Sequence, residues 1–374
     1  MTRRATYIRT FFVILLILPC IAIANTLSVS IKALTQHIEQ LIKTKKIPGC
    51  AVAIIDHDQI VYMNAFGVRK MSKGKKGYPI DLDTVFQLGS ISKPITATLV
   101  AILQRNGRLN LDQAVQYHLP WIQSDTTVRH LLSHTSGYAR TGWNNKIEAN
   151  TARITLINDL SSHTQNTPGE TFDYHNLAFS LLEDIIKHTN QAPFENLLQH
   201  YLFNPAGMTR ASCGYIPFES CANKAWPHQI TKKGSLAPSS SLSQFYHAHV
   251  PSAGGINASI RDMANFLFLH INGQENLIST HDLSPFHTPV APTKDALGWF
   301  KEEAVGADLN AWYGLGWRIL DIDHQRIIYH GGWLKGFKNF LAFSPDRKVG
   351  IVILHNSESS FSKKAAIRFL RQIL

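Results

Sequence analysis

Ser90-Ile91-Ser92-Lys93 leads into the apolar run from Pro94 to Leu103 and sets a hydroxyl and an amine three residues apart. On a helix that spacing puts both groups on one face. A serine hydroxyl is a weak nucleophile until a neighbouring base takes its proton, and an unprotonated lysine can do so. The spacing alone is not selective, because Ser72-Lys73-Gly74-Lys75 and Ser360-Phe361-Ser362-Lys363 repeat it. Two later segments single out the first copy. Tyr174-His175-Asn176 follows Pro168-Gly169-Glu170 and leads into an apolar helical stretch. A phenol and an amide two residues apart on a loop can aim at one pocket. The phenol handles a proton, the more readily beside a lysine ammonium that lowers its pKa, and the amide binds a carbonyl. His330-Gly331-Gly332 follows the strand-like Arg326–Tyr329, so a hydrogen-bonding side chain sits beside glycines where a substrate backbone can approach a sheet edge. The amides of Ser90 and Trp333 could then form an oxyanion hole. Two look-alikes are set aside. Tyr62-Met63-Asn64 lies in a strand pattern, where packing is expected, and Lys232-Lys233-Gly234 lies in a Ser/Pro-rich stretch.

The elements that must position these residues alternate in type along the chain. A helix is expected around Ile31 to Ile42, then a hairpin of Ala51–Ile55 and Ile60–Gly67 around Asp56-His57-Asp58. From Asn110 to about Thr209 the apolar spacing is helical, as in Val128–Leu132 and Leu177–His188. Cys213 to Pro251 is rich in Ser, Pro and Gly and reads as a long surface excursion. Ser259-Ile260-Arg261-Asp262 resembles a capping box opening a helix with Met263, Phe266 and Leu267. Strand patterns return at Tyr313–Leu320, Arg326–Tyr329, Phe337–Phe343 and Val349–Leu354, before a last helix from Lys364 to Leu374. Strands at both ends and helices between them predict an α+β fold. Its antiparallel sheet is built from both chain ends and flanked by helices, with a helical insertion over roughly 110–250.

Residues 1–24 read as a secretory signal, with Arg3, Arg4 and Arg9, an apolar core from Phe11, and Ala22-Ile23-Ala24 before cleavage. Export to a bacterial periplasm is expected; the alternative is an uncleaved inner-membrane anchor. Cys20 follows Leu18-Pro19 and lacks the small residue a lipoprotein signal prefers. The segment holds three arginines and no acid, so its loss lowers the formal charge from +11 to +8. That balance suits an anionic substrate or envelope surface, while no arginine-rich or aromatic-basic repeat points to nucleic acid. Export leaves a Cys213–Cys221 disulfide open, and Cys50 reads as a small buried hydrophobe.

In this order the three motifs resemble those of the penicillin-recognising serine enzymes, most closely the class C β-lactamase group with its Tyr-x-Asn second motif. Phe86 to Lys93, Val128 to Gly137, Asn204-Pro205-Ala206-Gly207-Met208, Asp262 to Asn265 and Tyr313-Gly314-Leu315-Gly316-Trp317 continue the likeness. The resemblance implies the three-layer α/β/α β-lactamase/transpeptidase sandwich, over residues 25–374, and acyl transfer without metal or organic cofactor. Ser90 would attack a carbonyl while Lys93 and Tyr174 relay its proton. Asn176 would hold the substrate amide, and His330, Gly332 and Trp333 would line the substrate. His247-Ala248-His249 offers two metal-ligand types without a third and reads as loop polarity.

The third motif departs from the Lys-Thr-Gly of typical class C enzymes: His330 replaces the lysine, Gly331 the threonine, and Trp333 the small residue that follows. A neutral histidine pulls less on a β-lactam carboxylate than an ammonium does. The first expectation is therefore a periplasmic β-lactamase. The alternative is a D-alanyl-D-alanine peptidase or esterase of the same fold, acting on peptidoglycan-derived peptides or small esters. A monomer without stable membrane insertion is expected in either case.

Overall fold

The computed structural model describes residues 26–374 apart from 72–76, 123, 140–142, 164–165, 231–235, 239–243, 299, 301 and 303–304. The signal segment, the Ser72 copy of the first motif and the Lys232 triplet lie outside the described residues. Helix α1 (26–43) precedes β1 (Gly49–Asp56) and β2 (Gln59–Gly67), the expected hairpin, turned at Asp56-His57-Asp58. Helix α2 (Ser92–Arg105) is buried from Ser92 to Leu103, as its lack of a polar face requires. Its Pro94 stands in the first turn, where the missing N–H costs no intrahelical bond. Further helices are α3 (Val128–Leu132), α4 (Trp143–Glu148), α5 (Asn176–Asn190), α6 (Gln244–His249), α7 (Pro251–Gly254) and α8 (Ile260–Asn272). The capping box at α8 is present: Ser259 Oγ accepts from Asp262 N at 3.2 Å, and Asp262 Oδ2 accepts from Ser259 N at 2.8 Å.

The chain then returns to the sheet with β3 (Ala291–Pro292), β4 (Leu309–Tyr313), β5 (Arg318–Ile322), β6 (Gln325–Leu334), β7 (Phe337–Ser344) and β8 (Val349–His355), and ends in α9 (Phe361–Ile373). The eight strands are antiparallel in the order β2-β1-β8-β7-β6-β5-β4-β3, which joins the two chain ends through β1 and β8. Period-two alternation gives the sheet two apolar faces. Ala51, Ala53 and Ile55 meet the cluster built with α2, α5 and α8, while Cys50, Val52 and Ile54 meet the one built with α1 and α9. The result is the expected three-layer α/β/α sandwich.

Three expectations are corrected here. Tyr313–Leu320 is two strands, β4 and β5, because Gly314 to Trp317 form a turn tight enough to demand glycine. Gly316 has φ +79°, and a Cβ there would lie 2.5 Å from Ala97 Cβ. The stretch between Cys213 and Pro251 is more than surface excursion, since it contains helix α6. His247 and His249 in that helix are buried rather than loop polarity: His247 Nε2 lies 2.9 Å from Gln87 Nε2, and His249 Nε2 lies 3.1 Å from Asn150 Oδ1. Cys50, Cys213 and Cys221 are all free thiols, so the open disulfide is not formed. Cys50 is fully buried, and burial pushes its pKa up.

Candidate active site

Ser90, the expected nucleophile, sits in a turn pinned on both sides. Phe86–Gln87 pairs with Ile256–Ala258, and Asn339 Nδ2 donates to Gln87 O at 2.8 Å. The chain then makes a 3-10 turn over Gly89–Ile91 that leaves Ser90 half-buried before α2 begins. Glycines set how closely this turn meets β6. A Cβ on Gly332 would lie 1.9 Å from Leu88 O, and one on Gly89, at φ +58°, would lie 2.9 Å from Trp333 N. The third motif therefore abuts the backbone of the first, which brings the Trp333 amide beside the Ser90 turn. Strand β6 pairs with β7 through Leu334, but its pairing with β5 stops at Tyr329. Beyond Tyr329 that edge carries no further paired strand among the described residues.

Lys93, one turn on from Ser90, is wholly buried, and its Nζ lies 3.4 Å from Ser90 Oγ. Nζ also donates to Asn176 Oδ1 at 2.7 Å and to Ala253 O, on α7, at 2.9 Å. Burial first, and the Arg318 charge second, hold its pKa well below the ordinary lysine value. A neutral amine has two N–H groups and one lone pair. With both N–H groups spent on Asn176 and Ala253, the lone pair is left for the Ser90 hydroxyl.

Tyr174-His175-Asn176 straddles the start of α5. His175 is the N-cap, its Nδ1 accepting from Ala178 N at 3.2 Å, which keeps Tyr174 in the preceding extended segment and makes Asn176 the first helical residue. The His175 N–H in turn donates to His134 Nδ1 at 3.2 Å. His134 lies buried with its ring centre 4.3 Å from that of Tyr174. Burial, then Lys93, holds its pKa far below the histidine norm, as its accepting Nδ1 requires. Lys93 Nζ sits 4.6 Å from the Tyr174 ring centre. Asn176 Nδ2 donates to Tyr246 Oη at 2.6 Å, and Tyr246 Oη donates to Asn144 Oδ1 at 2.8 Å, so α4 and α6 steady the amide.

His330 reaches the site but not its surface. Only 1% of it is exposed. Its Nδ1 lies 2.7 Å from Gly331 O, which can only accept, so Nδ1 carries the proton and Nε2 accepts from Tyr313 Oη at 3.1 Å. Burial first, and the Arg318 charge second, hold its pKa far below the usual histidine value. Trp333, by contrast, is 64% exposed at the same strand end. Ser90, Lys93, Tyr174 and Asn176 thus come together, with Gly332 and Trp333 against the Ser90 turn and His330 behind. Sequence reasoning assigned no role to His134, Asn144, Tyr246, Tyr313 or Arg318. His134 and Tyr313 lie inside segments that carried the resemblance, which was the only signal for them.

The look-alikes separate cleanly. Ser360 lies at the start of α9, whose apolar face packs on the opposite side of the sheet, and Ser362 is buried with its Oγ donating to Lys338 O at 2.9 Å. Tyr62 packs from β2 with its Oη 2.7 Å from Thr35 Oγ1. Among the described residues, no group of three or more His, Cys, Asp or Glu could hold a metal ion.

The sequence pattern of the Beta-lactamase family matches residues 34–374, nearly all of the described chain. The chain belongs to that family. Protein flp of Staphylococcus aureus (strain COL) is 25% identical over 352 residues, covering 90% of this chain. The chain spans 65% of the length of that relative. Penicillin-binding protein 4* of Bacillus subtilis (strain 168) is 24% identical over 352 residues, covering 89% of this chain and 74% of its own. Among solved structures, the octameric penicillin-binding protein homologue from Pyrococcus abyssi superposes with a TM-score of 0.78 at 23% identity, covering 91% of this chain and 76% of its own. EstCE1, a hydrolase with promiscuous acyltransferase activity, gives 0.76 at 18% identity, covering 94% and 99%. These two likenesses speak to fold alone.

Proposed function

We propose that the protein is a periplasmic serine acyl hydrolase that cleaves a linear ester or peptide amide through a Ser90 acyl-enzyme. The observation carrying this reading is the buried Lys93 amine, whose Nζ stands 3.4 Å from Ser90 Oγ and donates to Asn176 and Ala253; once neutral, it turns its lone pair to the Ser90 hydroxyl. As Oγ bonds to the substrate carbonyl, the hydroxyl proton passes to Lys93, with Tyr174 beside it as relay. The amides of Ser90 and Trp333 stabilise the oxyanion. When the acyl bond breaks, the leaving oxygen or nitrogen takes that proton. Water then attacks the acyl carbon, gives a proton to the same base, and releases the acid as the proton returns to Ser90 Oγ.

The neutral, doubly hydrogen-bonded His330 favours esters and peptides over β-lactams, because no ammonium stands on β6 to hold a carboxylate. The exposed Trp333 offers instead an apolar wall for the acyl or leaving group. β-Lactam hydrolysis of the class C kind is the second reading, favoured by the assembled Ser90, Lys93, Tyr174 and Asn176. Export rests on the Arg3/Arg4/Arg9 start and Ala22-Ile23-Ala24, and amino-terminal sequencing of protein from a periplasmic extract tests it.

Intact-mass spectrometry of the protein mixed with a p-nitrophenyl ester, a D-alanyl-D-alanine peptide or a penicillin separates the readings. Rapid ester or peptide turnover, with a slow or long-lived penicillin adduct on Ser90, is expected. A transient penicillin adduct with fast nitrocefin hydrolysis would establish the second reading, and no adduct from any of these would refute both.

A further inference from the structure

Strand β5 carries a buried cation that no motif announced. Arg318 lies in register with Tyr313 on β4 and Tyr329 on β6, and only 8% of it is exposed. Its guanidinium carbon is 5.3 Å from the Tyr174 ring centre and 5.4 Å from that of Tyr313. The two rings are 6.3 Å apart and inclined at 72°, forming a corner that the planar group fills. A guanidinium stays charged throughout the working range of a protein and stacks on aromatic faces, where an ammonium acts as a point charge. The ionisable groups whose titration it influences are Lys93 on α2, His134 after α3, Tyr313 on β4, and Tyr329 and His330 on β6.

We propose that Arg318 is a positioning residue for acylation, its fixed charge standing beside Tyr174 in place of a third-motif lysine and its stacking holding the Tyr174 ring. The inference rests on the Ser90 acyl-enzyme proposed above. His330 brings no charge to this wall, since both its ring nitrogens are hydrogen-bonded and it is buried. A cation behind the site favours phenolate over phenol at Tyr174 and disfavours ammonium at Lys93. Both effects keep the base able to accept the Ser90 proton at lower pH. The Arg318 charge is second only to burial in lowering Lys93, and it acts in the same direction on His134 and His330.

The test is the rate at which a fluorophosphonate labels Ser90 in the full chain, followed by intact mass across the pH range, with thermal melts as folding control. Wild type, Arg318→Lys and Arg318→Met are compared. The expected result is an acid limb that moves up by about one pH unit or more in Arg318→Met, with labelling about tenfold slower at neutral pH. Arg318→Lys, which keeps the charge, recovers most of the wild-type limb. An Arg318→Met protein that folds and keeps the wild-type limb overturns the proposal, whether its rate is unchanged or uniformly lower, since a purely structural role moves no limb. Should Arg318→Met not fold, Arg318→Gln carries the same expectation. Should neither fold, Arg318→His, whose buried ring carries no charge at neutral pH, takes the same test, and a wild-type limb in it overturns the proposal. A wild-type protein that Ser90 probes never label points to failure of the acyl-enzyme reading, not of Arg318.

Discussion

At the scale of single residues, the proposed chemistry depends on a lysine whose surroundings disfavour its protonated form. Lys93 donates to an amide oxygen on Asn176 and to the Ala253 carbonyl, both uncharged. That choice adds nothing to favour the ammonium, as a carboxylate would. Asn176→Asp, which places a carboxylate about where Oδ1 now accepts, is expected to raise the Lys93 pKa. Ser90 labelling at neutral pH should slow about tenfold or more and recover at higher pH. Unchanged labelling at neutral pH would show that Lys93 is not the proton acceptor. Ser90→Ala should abolish turnover and adduct formation without lowering the melting temperature, while Ser360→Ala should change neither. Side-chain type, spacing and the family resemblance singled out Ser90, Lys93, Tyr174 and Asn176, and the fold brings these four together. Arg318 was not singled out, since its partners on the Tyr174 loop lie far away in sequence and a lone arginine in a strand has no pattern.

At the scale of elements, the two halves of the site are joined by backbone contact. The Ser90 turn precedes α2 and the Trp333 amide lies near the end of β6, so the proposed oxyanion hole requires those elements to stay in contact. Gly332 sets that contact: a Cβ there would lie 1.9 Å from Leu88 O, whereas one on the neighbouring Gly331 would meet nothing nearer than 3.7 Å. Gly332→Ala is therefore expected to cost about 1–3 kcal/mol of stability and most of the acylation rate, and Gly331→Ala close to none of either. Thermal melts and Ser90 labelling of the two variants check this; equal behaviour would mean that the contact is slack. Most strands and helices were legible from period two and period 3.6, down to the Ser259 capping box. The missed turn between β4 and β5 has another cause. Leu315 and Trp317 are fully buried, so burial continues across a bend that only Gly316 marks. The helix α6 was hidden because Ser- and Pro-rich flanks gave its histidines the look of a loop.

At the scale of the whole molecule, the three layers bury histidines on a scale that composition did not foretell, because exposure is a property of the assembled fold. His134, His228, His247, His270, His330 and His355 are buried and His287 is half-buried, and desolvation is the first cause lowering each of their pKa values. His228 and His247 are held at about 4, His287 and His355 at about 3. Several serve as acceptors that a proton would cancel: His134 Nδ1 accepts from the His175 amide, and His228 Nε2 accepts from Met71 N at 3.0 Å. In the unfolded chain these rings protonate near 6.5, so below that pH the unfolded state binds more protons than the folded one. Stability then falls with falling pH from about 6.5 down to the folded values, by on the order of 1 kcal/mol per pH unit for each such ring. Glu183 works the other way. Burial raises its carboxyl to about 7, so the folded state gains a proton there as pH falls, and its contribution is lost as pH rises through that value. Burial raises the Asp262 carboxyl too, and these two carboxyls against seven imidazoles decide the sign. The melting temperature is expected to be highest above pH 7 and to drop steeply between pH 6 and 4, and a flat profile across that interval would mean that these rings are solvated or paired in solution.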